Sequence, residues 1–536
     1  MEASAASLHA LETVVLLLLV VVAAFAVIAH RLKIPYPIVL ILAGLVLSFI
    51  PHMPRIPLNP NLIFAIFLPP LLYSAAWTVS WRDFCRNGVV IALLAVGLVG
   101  FTVWGIAEFS DRFITALDWK AGFLLGAVLA TTDAIAATSV ARSVGLPRRI
   151  VDVLEGESLL NDATGLLALE FGLRLLERGE LPTLGGGVAR LLYLIVGGLG
   201  IGLLLGFFVG WLERFIDNGP VELVVSLVVP YAAYLAGEEA KASGVLAVVA
   251  CGLYMSRQSA RIFSPTVRLQ LWSGWEALTF VLNGIVFALI GLQMPYVLAG
   301  IRGGYSMTTL LEYGAVFSLI LIALRMVWVA PAVKVANVVA KLRHKETIGS
   351  RETFVIGWTG MRGVLALAAA ISVPEMINGK PFAAHNLIVF LAFCVILVTL
   401  VLQGLTLPSL IRALGLAGHG GMEPEEQYAR RVALREAIRY LEEGKEEQGG
   451  GHSHVFDDLI DRYHHRLNEL GDGDVAPDEK QVEAAQHLTR LAKGALERER
   501  ATVIALRDQG AISDDVLRTV ERELDLEESR YWSNNG

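Results

Sequence analysis

The sequence predicts an all-α membrane protein that crosses the bilayer many times and ends in a helical tail outside it. Of its 536 residues, 55% are hydrophobic, and the mean hydropathy is +0.58. Charge is divided unevenly, with a net charge of -11 from residue 423 onward and +4 over the residues before it. A soluble fold does not need so apolar a composition, so the two parts of the chain are suited to different solvents.

Thirteen apolar runs, each bounded by charged residues or by Pro and Gly, are candidate membrane spans. They cover residues 9–29, 34–51, 61–79, 87–109, 120–144, 150–175, 188–215, 219–236, 242–256, 270–298, 306–340, 352–374 and 385–414. The first run is followed by His30, Arg31 and Lys33 without a small-residue cleavage site, so we interpret it as a retained helix rather than a signal peptide. We therefore expect about 13 transmembrane helices.

The distribution of positive charge predicts the orientation. With thirteen spans and a cytoplasmic tail, sixteen Lys and Arg residues fall in cytoplasmic loops and about nine on the opposite side. Cytoplasmic loops of membrane proteins carry the excess of positive charge. We expect a multi-pass protein of the plasma (inner) membrane with its N-terminus outside and its C-terminus in the cytoplasm.

The most informative stretch reads Gly-Glu-Ser-Leu-Leu-Asn-Asp-Ala-Thr-Gly at residues 156–165, inside the sixth apolar run. Its acids, Glu157 and Asp162, each cost at least about 2.5 kcal/mol at the centre of a helix in hydrocarbon, so they indicate a functional site. A helix that begins near Val151 places Asp162 about 16 Å along its axis, near the membrane midplane.

The fifth run contains a third acid, Asp133, among the hydroxyl side chains of Thr131, Thr132, Thr138 and Ser139. Hydroxyl oxygens and the carbonyls of a broken helix are suitable ligands for a small monovalent cation. Alternatively, each hydroxyl bonds to its own helix while small residues allow close helix packing. That alternative explains Asp133 less well, because a carboxylate without a bonded partner is costly there.

Two arginines, Arg325 and Arg362, lie in the eleventh and twelfth runs. Guanidinium groups stay charged, so each needs carboxylates, carbonyls or water. Set against Asp133, Glu157 and Asp162, they leave one negative charge that Na⁺ or H⁺ can neutralise. We expect Glu157 and Arg325 to form a structural ion pair, since a buried pair that loses one partner costs about 3 to 5 kcal/mol.

Four motifs resemble the sodium/proton exchangers of the monovalent cation:proton antiporter family, of the bacterial type with a cytoplasmic tail. They are Gly-Glu-Ser-Leu-Leu-Asn-Asp at 156–162, Thr-Asp at 132–133, Phe-Leu-Pro-Pro-Leu-Leu-Tyr at 67–73 and Gly-Met-Arg-Gly at 360–363. The resemblance covers about residues 10–415. It implies inverted repeats, a scaffold or dimerisation part, a mobile transport part, and interrupted fifth and twelfth helices that cross near the midplane.

Carried over position by position, the resemblance also implies an ion site. The ion-binding and proton-exchanging residues would be Asp162, Asp133, Ser158, Thr132 and Asn161, with Na⁺ held at Asp133, Ser158 and Asp162. Glu157 and Arg325 would be the stabilising ion pair, and Arg362 matches the second intramembrane arginine of the family. Ala134 stands where the family commonly has proline, which leaves the position of the break in the fifth helix open.

These residues predict a secondary antiporter rather than an enzyme. A single carboxylate that holds either H⁺ or Na⁺ (or Li⁺) couples the two fluxes, and the neighbouring Asn161 cannot carry a second proton. We therefore expect electroneutral 1:1 Na⁺/H⁺ antiport by competition at Asp162 with alternating access, serving pH and sodium homeostasis. We expect no cofactor besides the transported ions, no nucleic-acid partner, and association with membrane lipid and with a second copy of the chain as a homodimer.

Three alternatives differ from this interpretation. A K⁺/H⁺ antiporter uses the same oxygen ligands, and selectivity depends on a cavity size that sequence spacing does not resolve. A membrane sensor with a cytoplasmic output domain explains the tail but not the intramembrane acids and arginines. An intramembrane hydrolase is disfavoured, because the stretch at 156–160 lacks the second glycine of a nucleophile elbow.

The composition divides the chain into a transmembrane antiporter domain, residues 1–415, and a cytoplasmic helical regulatory tail, residues 416–536. Within the tail, residues 423–447 predict a charged amphipathic helix, 448–454 a flexible break, and 478–530 two further helices with a narrow apolar face. That face contains Leu491, Leu496, Val503, Leu506, Val516, Leu517 and Leu524.

Overall fold

The computed structural model describes residues 2–32, 34–50, 60, 63–179, 183–301, 305–377, 379–418, 424–447, 453–469, 479–509, 511 and 514–532. The chain forms two compact units, Met1–His419 and Gly420–Gly536, and both are built from helices. The first unit also contains a short antiparallel strand pair, β1 (Met376–Ile377) and β2 (Lys380–Pro381).

The helices of the first unit follow the apolar runs of the sequence. They are α1 (Glu2–Leu32), α2 (Tyr36–Ser48), α3 (Ile63–Thr78), α4 (Trp81–Arg86), α5 (Gly88–Phe113), α6 (Trp119–Ala130), α7 (Ala134–Ser143), α8 (Arg148–Arg178), α9 (Leu184–Glu213), α10 (Gly219–Glu239), α11 (Gly244–Ile262), α12 (Pro265–Leu292), α13 (Met294–Ile301), α14 (Met307–Leu342), α15 (Ser350–Trp358), α16 (Val364–Ser372) and α17 (His385–Ala413). Each predicted run falls on one helix or on two consecutive helices.

Length and hydropathy identify six helical segments among the described residues that can each cross a bilayer: α5, α9, α10, α12 with α13, α14 and α17. The pair α6 and α7 is bent by 40° at a short break and makes a seventh span if it is counted as one. The all-helical membrane architecture is therefore confirmed. The number of thirteen spans stays a prediction.

Two of the predicted spans are broken. α6 ends before Thr131, whose backbone is extended (φ -71°, ψ 142°), and α7 begins at Ala134. Between α15 and α16, Gly363 is also extended (φ -122°, ψ -157°). Ala134 thus opens the second half of the first broken helix, so this chain makes the break without a proline at that position.

The two breaks lie against each other. The backbone amide of Asp133 donates a hydrogen bond to the carbonyl of Met361 at 2.9 Å. A Cβ atom on Gly363 would overlap the Asp133 carboxylate, so glycine permits this close approach. Backbone groups left open by a helix end are costly in hydrocarbon, and each break here supplies a partner to the other. This is the crossing of interrupted helices that the resemblance implied.

Close helix packing in this unit depends on glycine at a few positions. α9 packs along α11, and a Cβ atom on Gly202 would overlap the backbone carbonyl of Ala247. Gly200, two residues earlier on α9, has no atom within 4 Å of the same position. Small residues let helix backbones approach where no hydrophobic driving force holds helices together in lipid.

The second unit consists of two helix pairs. Its helices are α18 (Pro424–Glu447), which packs on α19 (Ser453–Glu469), and α20 (Glu479–Asp508), which packs on α21 (Asp514–Trp532). Of the predicted apolar face, Leu496, Leu517 and Leu524 are buried, whereas Leu491 is 60% exposed. Helix α19 was not predicted from the sequence, and most of the expected break at 448–454 lies outside the described residues.

We expect Gly202→Ala to destabilise the protein by about 1 to 3 kcal/mol, because the added methyl group overpacks the contact between α9 and α11. Gly200→Ala is the matched control, since it adds the same group to the same helix at an open position. Thermal unfolding of both purified variants in detergent measures the difference. Equal unfolding temperatures for the two variants would contradict this packing.

Candidate ion-binding site

Helix α8 brings four of the predicted site residues into the interior of the first unit. Glu157, Ser158, Asn161 and Asp162 lie within about one and a half helical turns, where residues i and i+4 share a face. Glu157 and Asn161 are 1% exposed and Asp162 is 7% exposed. The polar face of α8 is therefore turned into the protein.

Glu157 and Arg325 form the buried ion pair of the site. Both Arg325 Nη atoms contact the carboxylate, and Nη2 lies 2.8 Å from Glu157 Oε2. Arg325 Nε and Nη2 also donate to the carbonyl of Ile356, at 3.2 and 3.0 Å. The pair is at most 2% exposed and joins α8, α14 and α15. The charge of Glu157 is thereby compensated within the protein.

Ser158 bridges the two sides of the break between α6 and α7. Its hydroxyl donates to the carbonyl of Thr132 at 2.8 Å and accepts from the amide of Ala134 at 3.3 Å. The amide side chain of Asn161 donates to the Thr132 hydroxyl, which donates in turn to Glu157 at 3.4 Å. The predicted oxygen ligands are thus held together by hydrogen bonds between the break and α8.

Asp133 stands at the start of α7. Its Oδ1 accepts a hydrogen bond from the amide of Ile135 at 2.8 Å, as the side chain of an N-capping residue does. Hydrogen bonding and the positive end of the helix dipole both favour a negative charge at this position. The Asp133 carboxylate also lies within electrostatic range of Asp162.

Asp162 differs from Glu157 in its partners. Its carboxylate has neither a hydrogen bond nor an ion pair among the described residues, although Asp162 is only 7% exposed. A carboxylate in such surroundings is too costly to remain charged without a partner. Together with Asp133, it can hold a proton or coordinate a small cation.

Arg362 lies in the second break and is 1% exposed. Its backbone amide donates a hydrogen bond to the Thr399 hydroxyl at 3.2 Å. Its Nε and Nη1 have no hydrogen-bond partner among the described residues. Arg325 and Arg362 nearly balance the three acids by number, as expected from the sequence. Within the described residues, the structure does not pair Arg362 with either aspartate.

Two further residues are associated with the predicted set, and the sequence already distinguishes one of them, Asn283, as a polar residue in an apolar run. Tyr36, at the start of α2, faces the side chain of Asn283 and lies within electrostatic range of Asp133. Asn283 is 4% exposed. The sequence signal for Asn283 is an amide inside an otherwise apolar helix, whereas nothing distinguishes Tyr36 from the aromatic residues common at membrane interfaces.

These features define a class of protein. Two interrupted helices meet inside an apolar helical unit, and an unpaired carboxylate lies beside them. Secondary transporters build their substrate sites in this way, because the open backbone ends of broken helices provide ligands within the membrane. The fold and the site therefore define a secondary transporter.

The chain belongs to the sodium/hydrogen exchanger family, whose transmembrane region matches residues 15–413. An uncharacterized Na⁺/H⁺ exchanger of Mycobacterium bovis is 32% identical over 526 residues, which cover 96% of this chain and 95% of that protein. A sodium, potassium, lithium and rubidium/H⁺ antiporter of Bacillus pumilus is 32% identical over 444 residues, covering 81% of this chain and 66% of the relative. The family consists of transporters, and its members support cation/proton antiport by this chain.

A solved structure shares the fold. The sodium proton antiporter MjNhaP1 from Methanocaldococcus jannaschii superposes with a TM-score of 0.61 at 22% sequence identity. The match covers 76% of this chain and 99% of that one. The chain therefore shares the fold of this antiporter over the part that the match covers.

Replacing Arg325 by Met is expected to destabilise the protein by about 3 to 5 kcal/mol, because Glu157 is left buried without its counter-charge. The double variant Glu157→Leu, Arg325→Met removes both charges and is expected to recover most of this loss. Tryptophan fluorescence during thermal unfolding in detergent compares the two proteins. A single variant as stable as the parent would refute a structural role for the pair.

Proposed function

We propose that this protein exchanges Na⁺ or Li⁺ for H⁺ by competition at Asp162. One observation carries the proposal: this buried carboxylate has no ion pair or hydrogen bond in the described part of the chain, although a paired acid, Glu157, lies five residues away on the same helix. An unpaired buried carboxylate requires neutralisation. A proton and a monovalent cation neutralise the same charge, so they exclude each other.

Competition at one site couples the two ion fluxes. Moving a bare carboxylate through a low-dielectric barrier is costly, whereas a neutralised one crosses at lower cost. The site therefore changes access only when H⁺ or a cation is bound. Each complete cycle then carries a cation in one direction and a proton in the other, by alternating access.

The other predicted residues complete the cation site in this proposal. Asp133 contributes the second carboxylate, and Ser158 and the Thr132 carbonyl contribute oxygens at the break. These hard oxygen ligands suit Na⁺ and Li⁺. Asn161 orients the Thr132 hydroxyl and cannot carry a proton as a second acid would, which favours the exchange of one cation for one proton.

K⁺/H⁺ antiport is a second candidate function. The name of the Bacillus pumilus relative includes potassium and rubidium as well as sodium and lithium. The same oxygen ligands bind K⁺ when the cavity is larger. Proton release from reconstituted protein, measured with a pH-sensitive dye against Na⁺, Li⁺ and K⁺ in turn, separates the two functions.

In the cell, we propose that residues 1–415 transport ions across the plasma membrane for pH and sodium homeostasis, with residues 416–536 as a cytoplasmic regulatory tail and the N-terminus outside. We also propose a homodimer. The exposed apolar face of α9, with Leu204 at 72% and Phe207 at 60% exposure, is available to lipid or to a second copy. The arrangement of loop charges supports the orientation.

Asp162→Asn is expected to abolish cation-dependent proton flux in everted vesicles, because an amide neither binds a proton at neutral pH nor neutralises a cation. Glu239→Gln is the control, since it makes the same change at an exposed acid at the end of α10. The control should keep the flux of the parent protein. Retained exchange in correctly folded Asp162→Asn would refute the assigned role.

An electroneutral cycle is expected to be insensitive to membrane potential. One net charge per cycle would shift the final ion gradient by about 2.3 kcal/mol per 100 mV, or roughly 50-fold. The final pH gradient in proteoliposomes, measured with and without a thiocyanate diffusion potential, tests this without adding K⁺. A potential-dependent final gradient would establish an electrogenic stoichiometry instead.

A further inference from the structure

A cleft lined by several positively charged residues lies at one end of the first unit, Met1–His419. It is formed where α4 ends, α5 and α8 begin and α14 ends, and it is partly open to solvent. Four cationic residues line it: Arg86, Arg149, Arg343 and Lys345. Among the described lining residues the one acid is Glu346, which leaves a net charge of +3.

Two of the cations hold the walls of the cleft together. Arg86 Nη2 lies 2.9 Å from the carboxylate of Glu346. Arg149 donates to the carbonyls of Glu346 and Thr347, at 3.0 and 3.1 Å. These contacts fix the loop after α14 against the start of α8. The cleft is therefore a built feature of the fold.

The other two cations are available to a ligand. Arg343 and Lys345 line the same cleft, and the structure shows no side-chain hydrogen bond or ion pair for either within the residues it describes. Arg343 is the residue that follows α14, and Lys345 lies two positions further along the loop. Their charges are not compensated by Glu346, which is already paired with Arg86.

The first turn of α5 adds a further preference for an anion. Asn87 precedes α5, but its side chain does not cap the helix, because its Oδ1 accepts a hydrogen bond from Arg149 Nε at 3.3 Å. The first amides of a helix have no intrahelical partners and carry the positive end of the helix dipole. Asn87 and Val89 line the cleft, so the first turn of α5 lies at the cationic site.

The surroundings of the cleft suit an amphipathic anion. On α14, next to the residues that line the cleft, Val335, Val338 and Leu342 are 52%, 59% and 77% exposed. The orientation predicted from loop charges places this end of the unit at the cytoplasmic leaflet, which is rich in anionic lipid. A phosphate group in the cleft would therefore have an apolar helix face beside it for acyl chains.

We propose that this cleft binds the phosphate group of an anionic phospholipid. Arg343 and Lys345 contact the phosphate, the first turn of α5 faces it, and Arg86 and Arg149 hold the walls. Charge-assisted hydrogen bonds from arginine and lysine to phosphate are strong and directional. The acyl chains lie on the exposed face of α14. Soluble phosphate compounds carry the same charged group as the lipid. The experiment therefore compares a phospholipid with inorganic phosphate.

The test uses the full-length purified protein and the double variant Arg343→Gln, Lys345→Gln, which leaves the structural contacts of Arg86 and Arg149 in place. The matched control is Lys334→Gln, Lys341→Gln, which removes two exposed charges from α14 outside the cleft. Native mass spectrometry measures the binding of dioleoylphosphatidylglycerol and of dioleoylphosphatidylcholine. Size-exclusion chromatography and cation/proton exchange verify that both variants are folded.

We expect the cleft variant to bind phosphatidylglycerol at least about tenfold more weakly than the control, and phosphatidylcholine to show no such difference. Equal phosphatidylglycerol binding by the two variants would overturn the proposal. In a second arm, thermal unfolding is followed with inorganic phosphate. Stabilisation by phosphate that depends on Arg343 and Lys345, without any dependence of lipid binding on them, would also overturn the lipid assignment.

Discussion

The ion pair between Glu157 and Arg325 is the interaction on which the arrangement of the site depends. It ties α8 to α14 and, through the carbonyl of Ile356, to α15. Breaking a buried pair leaves an uncompensated charge, so separating these helices while both charges are present is costly. It also distinguishes two acids of α8, because Glu157 is neutralised by Arg325, whereas Asp162 has no such partner among the described residues.

The crossed breaks impose the second constraint. Hydrocarbon offers no water to satisfy open backbone groups, so a broken span persists only where other parts of the protein supply partners. Ser158 connects the two sides of the first break, and the Asp133 amide reaches the carbonyl of Met361 in the second. The same bonds that make the breaks tolerable hold Ser158, the Thr132 carbonyl and Asp133 together between α8 and the two breaks.

Much of this was predictable from local features of the sequence. The apolar runs predicted the helices of the membrane unit, and the acids in the 156–162 motif pointed to the site. Counting the intramembrane acids and arginines was less informative, since the count does not distinguish Arg362 from Arg325. In the described residues Arg362 pairs with neither Asp133 nor Asp162, because partner choice depends on which helix faces meet. The short helix α19 was missed, since its few apolar residues do not stand out in a charged segment.

By itself, the sequence determined the class of the protein: hydropathy requires a bilayer, and isolated acids within apolar runs require ions or partners. Tertiary structure alone decided that Glu157 is paired whereas Asp162 has no partner among the described residues, and that the break falls at Thr131 to Asp133 without a proline. It also placed Tyr36 within electrostatic range of Asp133. The physical reason is that burial and periodicity are local properties of the chain. The distances between charges on α2, α8, α14 and α15 are set by how helices distant in sequence pack together.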